Sequence, residues 1–474
     1  MSTESKAHAL TPSINHYRRA LYKIEKIATV GALILMVYLA VTESLAWVPF
    51  AAGIFLAAVL LLVRWPFGAL AALTAAAAMP RYHFSILSWN AKPEHLIATA
   101  CCMLLLPRLW RKPQTRQKLD RTDALLLAFL ALGFVSSYIA SPDRAATFRW
   151  SLLFTLATLP FFLIPQMCST EEELRVAFNL WLSIGAAEAL FGILCFLSYL
   201  LFGTTVGVTF FFYLSFIPGV HGSQWEPNIF GSFCACFAVM FLYYYLTTTR
   251  RTGWYMLGFM LTTVGTLLSL ARQSWICLVV VGAMVFVFNQ RGRKIQWKRL
   301  LRIAAGVLIA LGIGANLMED LPERLGTLAI DQAAQDPTIV HRLQLLAMAA
   351  QDISEHPIIG LGSSSFQLMH EDQDELGTNS AWLGNFFVRV VHDTGIIGLI
   401  VFMCFLVLLG RRVWKVQVST ATDAAKTTVN SLAAGTIVLL IAYQLTDAST
   451  LTFTWIQFGM LAAATRIAEA VPVR

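Results

Sequence analysis

The stretch Gln273–Asn289, QSWICLVVVGAMVFVFN, contains no charged residue. As an α-helix it rises about 1.5 Å per residue and comes close to spanning a hydrocarbon core about 30 Å thick. In lipid, a helix satisfies its own backbone polar groups, which an open strand cannot do. Membrane-spanning strands would instead alternate apolar and polar residues over segments of about ten, and no such alternation is visible. Comparable apolar runs occupy 27–46, 48–63, 66–79, 95–107, 122–140, 147–166, 174–202, 228–248, 254–270, 300–317, 386–409, 428–446 and 449–467. The second to fourth runs of the chain are short. The expected architecture is therefore an all-α polytopic integral membrane protein with about 12–14 transmembrane helices.

The composition agrees. Of the 474 residues 57% are hydrophobic and 13% charged, against about 25% charged in soluble domains. The first 26 residues are polar and basic, without a small-residue cleavage site after the first apolar run, so no cleaved signal peptide is expected. All eight cysteines, Cys101, Cys102, Cys168, Cys195, Cys234, Cys236, Cys277 and Cys404, lie in or beside apolar runs. They read as small buried hydrophobes rather than as disulfides or a metal site.

The net charge of +8 reflects the cytoplasmic bias of Lys and Arg in membrane proteins rather than nucleic-acid binding. With the N-terminus inside and one crossing per run, only Arg81, Lys92, Arg144, Arg149, Arg272, Arg324, Arg342 and Arg389 face outward. The other 27 of the 35 basic residues face inward. Both termini are then cytoplasmic. The expected organisation is a tail at 1–26, a helical bundle at 27–317 with an outward loop at 203–227, a large extracytoplasmic loop at 318–384, further transmembrane helices at 385–467 and a tail at 468–474.

A loop of that size is far longer than the usual 4–6 residues, and loops on rigid scaffolds carry binding and catalytic groups. Within it Ile339, Leu343, Leu346, Ala350 and Ile353 recur at spacings of three and four. This predicts an amphipathic helix over 338–354, bounded by Pro337 and Pro357, lying on the outer membrane face with Arg342 in its first turn. The loop domain is expected to be mostly helical.

Three outward places hold candidate functional groups. His221, Glu226 and Asn228 precede or open a membrane helix, either as caps or as the wall of a polar pocket. Arg272 stands in the turn Ser269–Trp275 with no acid nearby in sequence, so its partner is either the interface or a group from elsewhere. The loop region adds Arg342, His356, His370, Arg389 and His392. The cluster Glu371–Glu375 reads as a solvated face. Glu188 lies inside an apolar run, where ionisable groups are paired or functional.

Thr338–Phe366, TIVHRLQLLAMAAQDISEHPIIGLGSSSF, resembles the signature of the O-antigen ligase and O-antigen polymerase superfamily. That signature is an Arg opening a helix, then His-Pro-apolar-apolar-Gly-x-Gly, then Phe. Glu226-Pro227-Asn228 with Gly231 resembles the family's Pro-Asn segment, and Arg272 its arginine turn. Asn385, Gly395 and Gly398-Leu399 resemble its last motif. Gly384 stands where family ligases carry a His before that Asn, Gly219 and His221 lie where an Arg is common, and Ala271 replaces a Ser.

The resemblance implies glycan transfer from an undecaprenyl-pyrophosphate-linked donor to a glycan or lipid acceptor at the outer face of the bacterial inner membrane. The leaving diphosphate needs cationic donors, for which Arg272, Arg342 and Arg389 are the candidates, since a guanidinium matches phosphate oxygens. The acceptor hydroxyl needs a general base, for which His392, His370 and Glu226 are the candidates. Asn228, His221, His356 and Asn385 would complete the pocket. No metal or cofactor is expected. A chain-length regulator is a conceivable partner, and nucleic acid is not. Gly384 tilts the reading toward polymerisation of O-antigen or exopolysaccharide. The alternatives are an O-antigen ligase acting on lipid A-core, a polysaccharide-related transporter and a non-catalytic export scaffold.

Overall fold

The computed structural model describes residues 66–81, 84–86, 89–111, 119–210, 218–248, 252–290, 337–370 and 382–470. The runs expected at 27–46, 48–63 and 300–317, and the segments 318–336 and 371–381, lie outside the described residues. Thirteen helices are present among those described, in the order α1 (Pro66–Ala77), α2 (Pro93–Arg111), α3 (Arg121–Ile139), α4 (Arg144–Met167), α5 (Glu171–Phe202), α6 (Pro227–Thr247), α7 (Thr252–Leu268), α8 (Arg272–Gln290), α9 (Pro337–Glu355), α10 (Ser365–His370), α11 (Phe386–Val418), α12 (Asp423–Ala442) and α13 (Thr452–Glu469). Two antiparallel ribbons interrupt them, β1 (Phe84–Ile86) with β2 (Trp89–Ala91), and β3 (Val208–Phe210) with β4 (Pro218–Val220).

The chain is an all-α polytopic membrane protein. Six helices among the described residues are long and apolar enough to cross a bilayer: α3, α4, α5, α6, α11 and α12. This is fewer than the twelve to fourteen spans expected. Three of the expected runs fall outside the described residues, and α1 and α7, with 12 and 17 residues, are short. The run at 449–467 forms α13, which is buried along nearly its whole length. It is a core helix whose polar Gln457 is satisfied inside the bundle.

Between lipid-embedded helices there is no hydrophobic drive to associate, so close packing and interhelical hydrogen bonds carry the assembly. Both appear around α6, the most enclosed span. Phe233 and Phe237 pack edge-on against Trp181 of α5, and Phe233 meets Phe453 of α13 at 90°. The Trp181 indole donates to Gln457 Oε1 at 2.9 Å, and Gln457 Nε2 donates to the Leu432 carbonyl at 2.9 Å. One amide thus ties α5, α12 and α13 together, with about 0.6 kcal/mol typical for each such bond in a membrane.

The two ends of the bundle differ. At one end Arg412 pairs with Asp120 and Glu469, and Arg466 with Asp120 and Asp123. Burial pushes the Asp120 carboxyl up, but Arg466, Arg412 and two backbone donors outweigh it and hold the group below its ordinary value. These pairs explain why α11 runs on to Val418 instead of ending near 409: its last turns leave the apolar zone and carry Arg412 to Asp120. The loops and ribbons gather at the other end. There Ser223 supplies the partner for buried Glu188, donating its N–H to Oε1 at 2.9 Å and placing its hydroxyl 2.8 Å from Oε2.

α9 confirms the predicted amphipathic helix, and its apolar face lies against the protein. Leu345 and Ala349 form a small core with Phe366 and Leu383, packed on Val388 of α11. The His356–Gly362 run then docks into a break in α11. Gly395 has φ 66° and ψ −172° inside that helix, which frees backbone groups on either side. The loop satisfies them: Leu361 and Gly362 donate to the carbonyls of His392 and Asp393 at 2.9 Å, and Ile396 donates to the Pro357 carbonyl at 2.9 Å. A Cβ at Gly395 would lie 2.1 Å from the Ile358 carbonyl oxygen, and one at Gly360 would lie 2.6 Å from that of His392. Both glycines also hold positive φ.

Gly395→Ala should therefore lower the thermal midpoint of the purified protein, with a loss of about 1–3 kcal/mol, and expose the 356–362 run to protease. Gly410→Ala on the same helix meets open space and should be neutral or slightly stabilising. Equal midpoints for the two variants would show that the docked loop does not depend on Gly395.

Candidate functional site

At the loop-bearing end, helix start signals place polar groups in fixed positions. Pro227 sits at the first position of α6, a place where its missing N–H costs nothing, and Glu226 precedes it with extended backbone. Asn385 caps α11, its Oδ1 accepting from Val388 N at 3.0 Å, and its amide donates to the Gln444 carbonyl at 3.1 Å. The capped helix start, with the docked loop, brings His392, Asp393 and Arg389 under α9 and α10.

These groups form one buried polar chain. Asp352 Oδ2 of α9 lies 2.8 Å from His370 Nε2 and 3.1 Å from His392 Nε2. His392 Nδ1 lies 3.3 Å from Asp393 Oδ1, whose other oxygen accepts from Ser364 N at 2.9 Å and from Arg389 Nε at 3.4 Å. Arg389 Nη1 donates to Asp447 Oδ2, and Asp447 Oδ1 accepts from Ser449 N at 2.7 Å. His392 is 1% exposed, with each ring nitrogen against a carboxylate. Arg389 is bracketed by two carboxylates and stacked on Trp382 at 5.1 Å. The chain therefore spends these groups on one another and ties α9, α10 and α11 to the Asp447 turn.

Beside it opens a cavity of about 460 Å³, within the roughly 300–1,000 Å³ usual for small-molecule sites. Its wall includes Lys92, His95, Trp150, Trp225, Glu226, Gln367 and Trp382. Glu226 is the sequence candidate that lines it. Burial raises the Glu226 pKa above the ordinary carboxylate range, against the opposing pull of Arg342 and a hydrogen bond from Asn228. The Asn228 Oδ1 in turn accepts from Gln273 Nε2 at 3.0 Å, which also reaches Thr446 Oγ1 at 3.1 Å. Glu226 thus interacts with Arg342 and Asn228, and Asn228 reaches the first turn of α8, where Arg272 starts the helix.

The other candidates fall outside this group. His221 is buried in the ribbon loop. Arg81 Nη1 can only donate, so His221 Nε2 accepts that bond at 3.0 Å and Nδ1–H donates to the Gln224 carbonyl at 3.0 Å. Desolvation, then the Arg81 charge, lowers its pKa to about 4, so it is neutral and braces the loop. The His356 side chain is exposed at the end of α9. Asn385 acts as a cap. Sequence reading missed Asp352, Asp393, Asp447, Gln273 and Gln367, which become site residues only through contacts between distant elements. It also missed Lys92 and His95, although the polar Lys92–His95 cluster ahead of an apolar run was a visible signal.

Residues 257–403 match the family model described as O-antigen ligase. The class of protein defined here is a multi-pass membrane protein that carries a stretch similar to a glycan-transferring family. More particularly, the stretch from α7 to the middle of α11 is similar to the O-antigen ligase family. No curated protein matches the chain.

The charge relation between Arg342 and Glu226 can be tested directly. Arg342 favours ionised Glu226, so Arg342→Ala should raise the pKa of that carboxyl further. Infrared titration reads this through the protonated-carboxyl band that vanishes in Glu226→Gln. A band whose midpoint stays in place or moves to lower pH would separate the two residues electrostatically.

Proposed function

We propose that this protein extends O-antigen or exopolysaccharide chains at the outer face of the bacterial plasma membrane, using an undecaprenyl-pyrophosphate-linked glycan as donor. The observation that carries the reading is Glu226, a carboxylate on a cavity wall in the field of Arg342, inside a protein whose 257–403 stretch matches the O-antigen ligase family.

In this reading Arg342 and Arg272 hold the donor diphosphate. A diphosphate carries more charge than one carboxylate and competes for Arg342. Glu226 then loses its cationic neighbour, its pKa rises, and it becomes a stronger base. The acceptor hydroxyl passes its proton to the Glu226 carboxylate, and its oxygen bonds the donor's anomeric carbon. The bond from that carbon to the diphosphate oxygen breaks, and the leaving group takes the electron pair. Cationic donors matched to developing charge act more strongly in such a partly dry site than in water. Glu226 is preferred to His392 and His370 as base because both histidines are engaged by Asp352, and His392 also by Asp393. Arg389 is assigned to the structural chain, since Asp393 and Asp447 already balance its charge.

Gly384 favours polymerase over ligase. A Cβ there would lie 3.0 Å from the Leu445 carbonyl oxygen, so the position resists the His that family ligases carry. Glu188, the intramembrane acid that a transporter reading requires, is held by Ser223. The arginine-rich end bearing Arg412 and Arg466 is assigned to the cytoplasm, in line with the positive-inside bias.

Glu226→Gln should slow chain extension by about 10²–10⁴-fold, and Arg342→Ala or Arg272→Ala should abolish it, all at normal membrane abundance. The readout is the length ladder made by purified protein from lipid-linked repeat units. Loss of the gene should leave single-repeat glycans. Accumulation of finished polymer on its lipid carrier would mark a ligase instead, and full activity of both arginine variants would end the diphosphate assignment.

A further inference from the structure

The cavity holds polar groups that the transfer chemistry above does not use. His95, at the start of α2, is 4% exposed, and neither ring nitrogen has a hydrogen-bond partner among the described residues. Gln367 of α10 has a buried Oε1 that is also unpartnered. Both side chains line the same wall as three indoles, those of Trp150, Trp225 and Trp382. Lys92 stands 5.7 Å above the Trp225 ring. A buried polar atom without a partner costs about 1–3 kcal/mol. All three belong to residues of one cavity wall, so an occupant seated there is the group that a turn of these side chains would bring to them.

The chemistry of that occupant follows from the atoms. Gln367 Oε1 can only accept, so the occupant must donate. A neutral imidazole offers one donor and one acceptor, so the occupant must do both. A hydroxyl does both; a carboxylate, a phosphate or a polyprenyl chain does not. Indole faces suit a ligand with flat apolar C–H faces and a polar rim, the build of a pyranose ring. We propose, on the transferase reading above, that this cavity is the acceptor-saccharide subsite, in which Trp225 stacks a sugar ring while His95 and Gln367 bond its hydroxyls. Glu226 opens onto the same cavity, so the reacting hydroxyl belongs to the ring seated here. His95, Gln367 and Trp225 then set which acceptor is accepted.

The test uses the full-length protein in nanodiscs and lipid-free oligosaccharide repeat units cut from the producing cell's own polysaccharide. Calorimetry should show binding to the wild type. Trp225→Ala, Gln367→Leu and His95→Phe should each weaken it at least tenfold. Gly410→Ala, in open space on α11 and away from the cavity, should bind as the wild type does. Trp225 is 42% exposed, so its substitution leaves the core intact, and matching thermal midpoints exclude misfolding as the cause. Absence of saccharide binding to the wild type, unchanged binding in Trp225→Ala and Gln367→Leu, or displacement of the saccharide by undecaprenyl phosphate would each overturn the subsite. Saccharide binding without any transfer would remove the transferase reading and leave the subsite standing. Transfer with an unaltered acceptor KM in the cavity variants would do the reverse.

Discussion

The break in α11 at Gly395 is the constraint on which the functional end of the molecule depends. A helix interrupted near the membrane leaves backbone donors and acceptors that lipid cannot satisfy. Here the Pro357–Gly362 run satisfies them, and glycine at 360 and 395 lets the two backbones approach closely enough to do so. The His-Pro-x-x-Gly-x-Gly signature therefore has a structural reason at most of its positions. It docks the segment between α9 and α10 onto a broken membrane helix and places both helices over the buried polar chain.

Once that joint is made, the polar residues divide into two sets. One is the chain from His370 through Asp352, His392, Asp393 and Arg389 to Asp447, in which each charge meets an opposite charge or a donor. Desolvating charges costs several kcal/mol unless they are paired, and removing any one member would strand its neighbours. The other set surrounds the cavity, where Glu226 feels Arg342 and where His95 and Gln367 carry buried polar atoms without a partner among the described residues. The unfinished hydrogen bonding of the second set is what supports the proposed assignment of the chemistry to it.

Much of this was legible in the residues. Apolar runs announced the helices, because a membrane helix needs little beyond length and hydropathy to be recognised. The three-and-four spacing of Leu343, Leu346, Ala350 and Ile353 announced α9 almost to the residue, since Pro337 and Pro357 bound it. Glu226 and Arg342 stand out in the sequence as candidates, and the fold brings them within each other's field. Other signals misled. The Arg411–Lys415 stretch looked like a connecting loop because its charges end the apolar run, yet it is helical to reach Asp120. What surrounds His392, a carboxylate against each ring nitrogen, is likewise not visible in the residues beside it alone.

The sequence by itself determined the class of environment, the helical elements and the identity of the docking motif. These rest on hydropathy, periodicity and glycine or proline geometry, all properties of neighbouring residues. Only the tertiary structure decided which charges are balanced and which face a cavity. Asp352 and His392 are 40 residues apart, and Arg389 and Asp447 are 58 apart. Whether an ionisable side chain is a strut or a reactant depends on what stands within a few ångströms of it, and that is set by helix packing rather than by spacing along the chain.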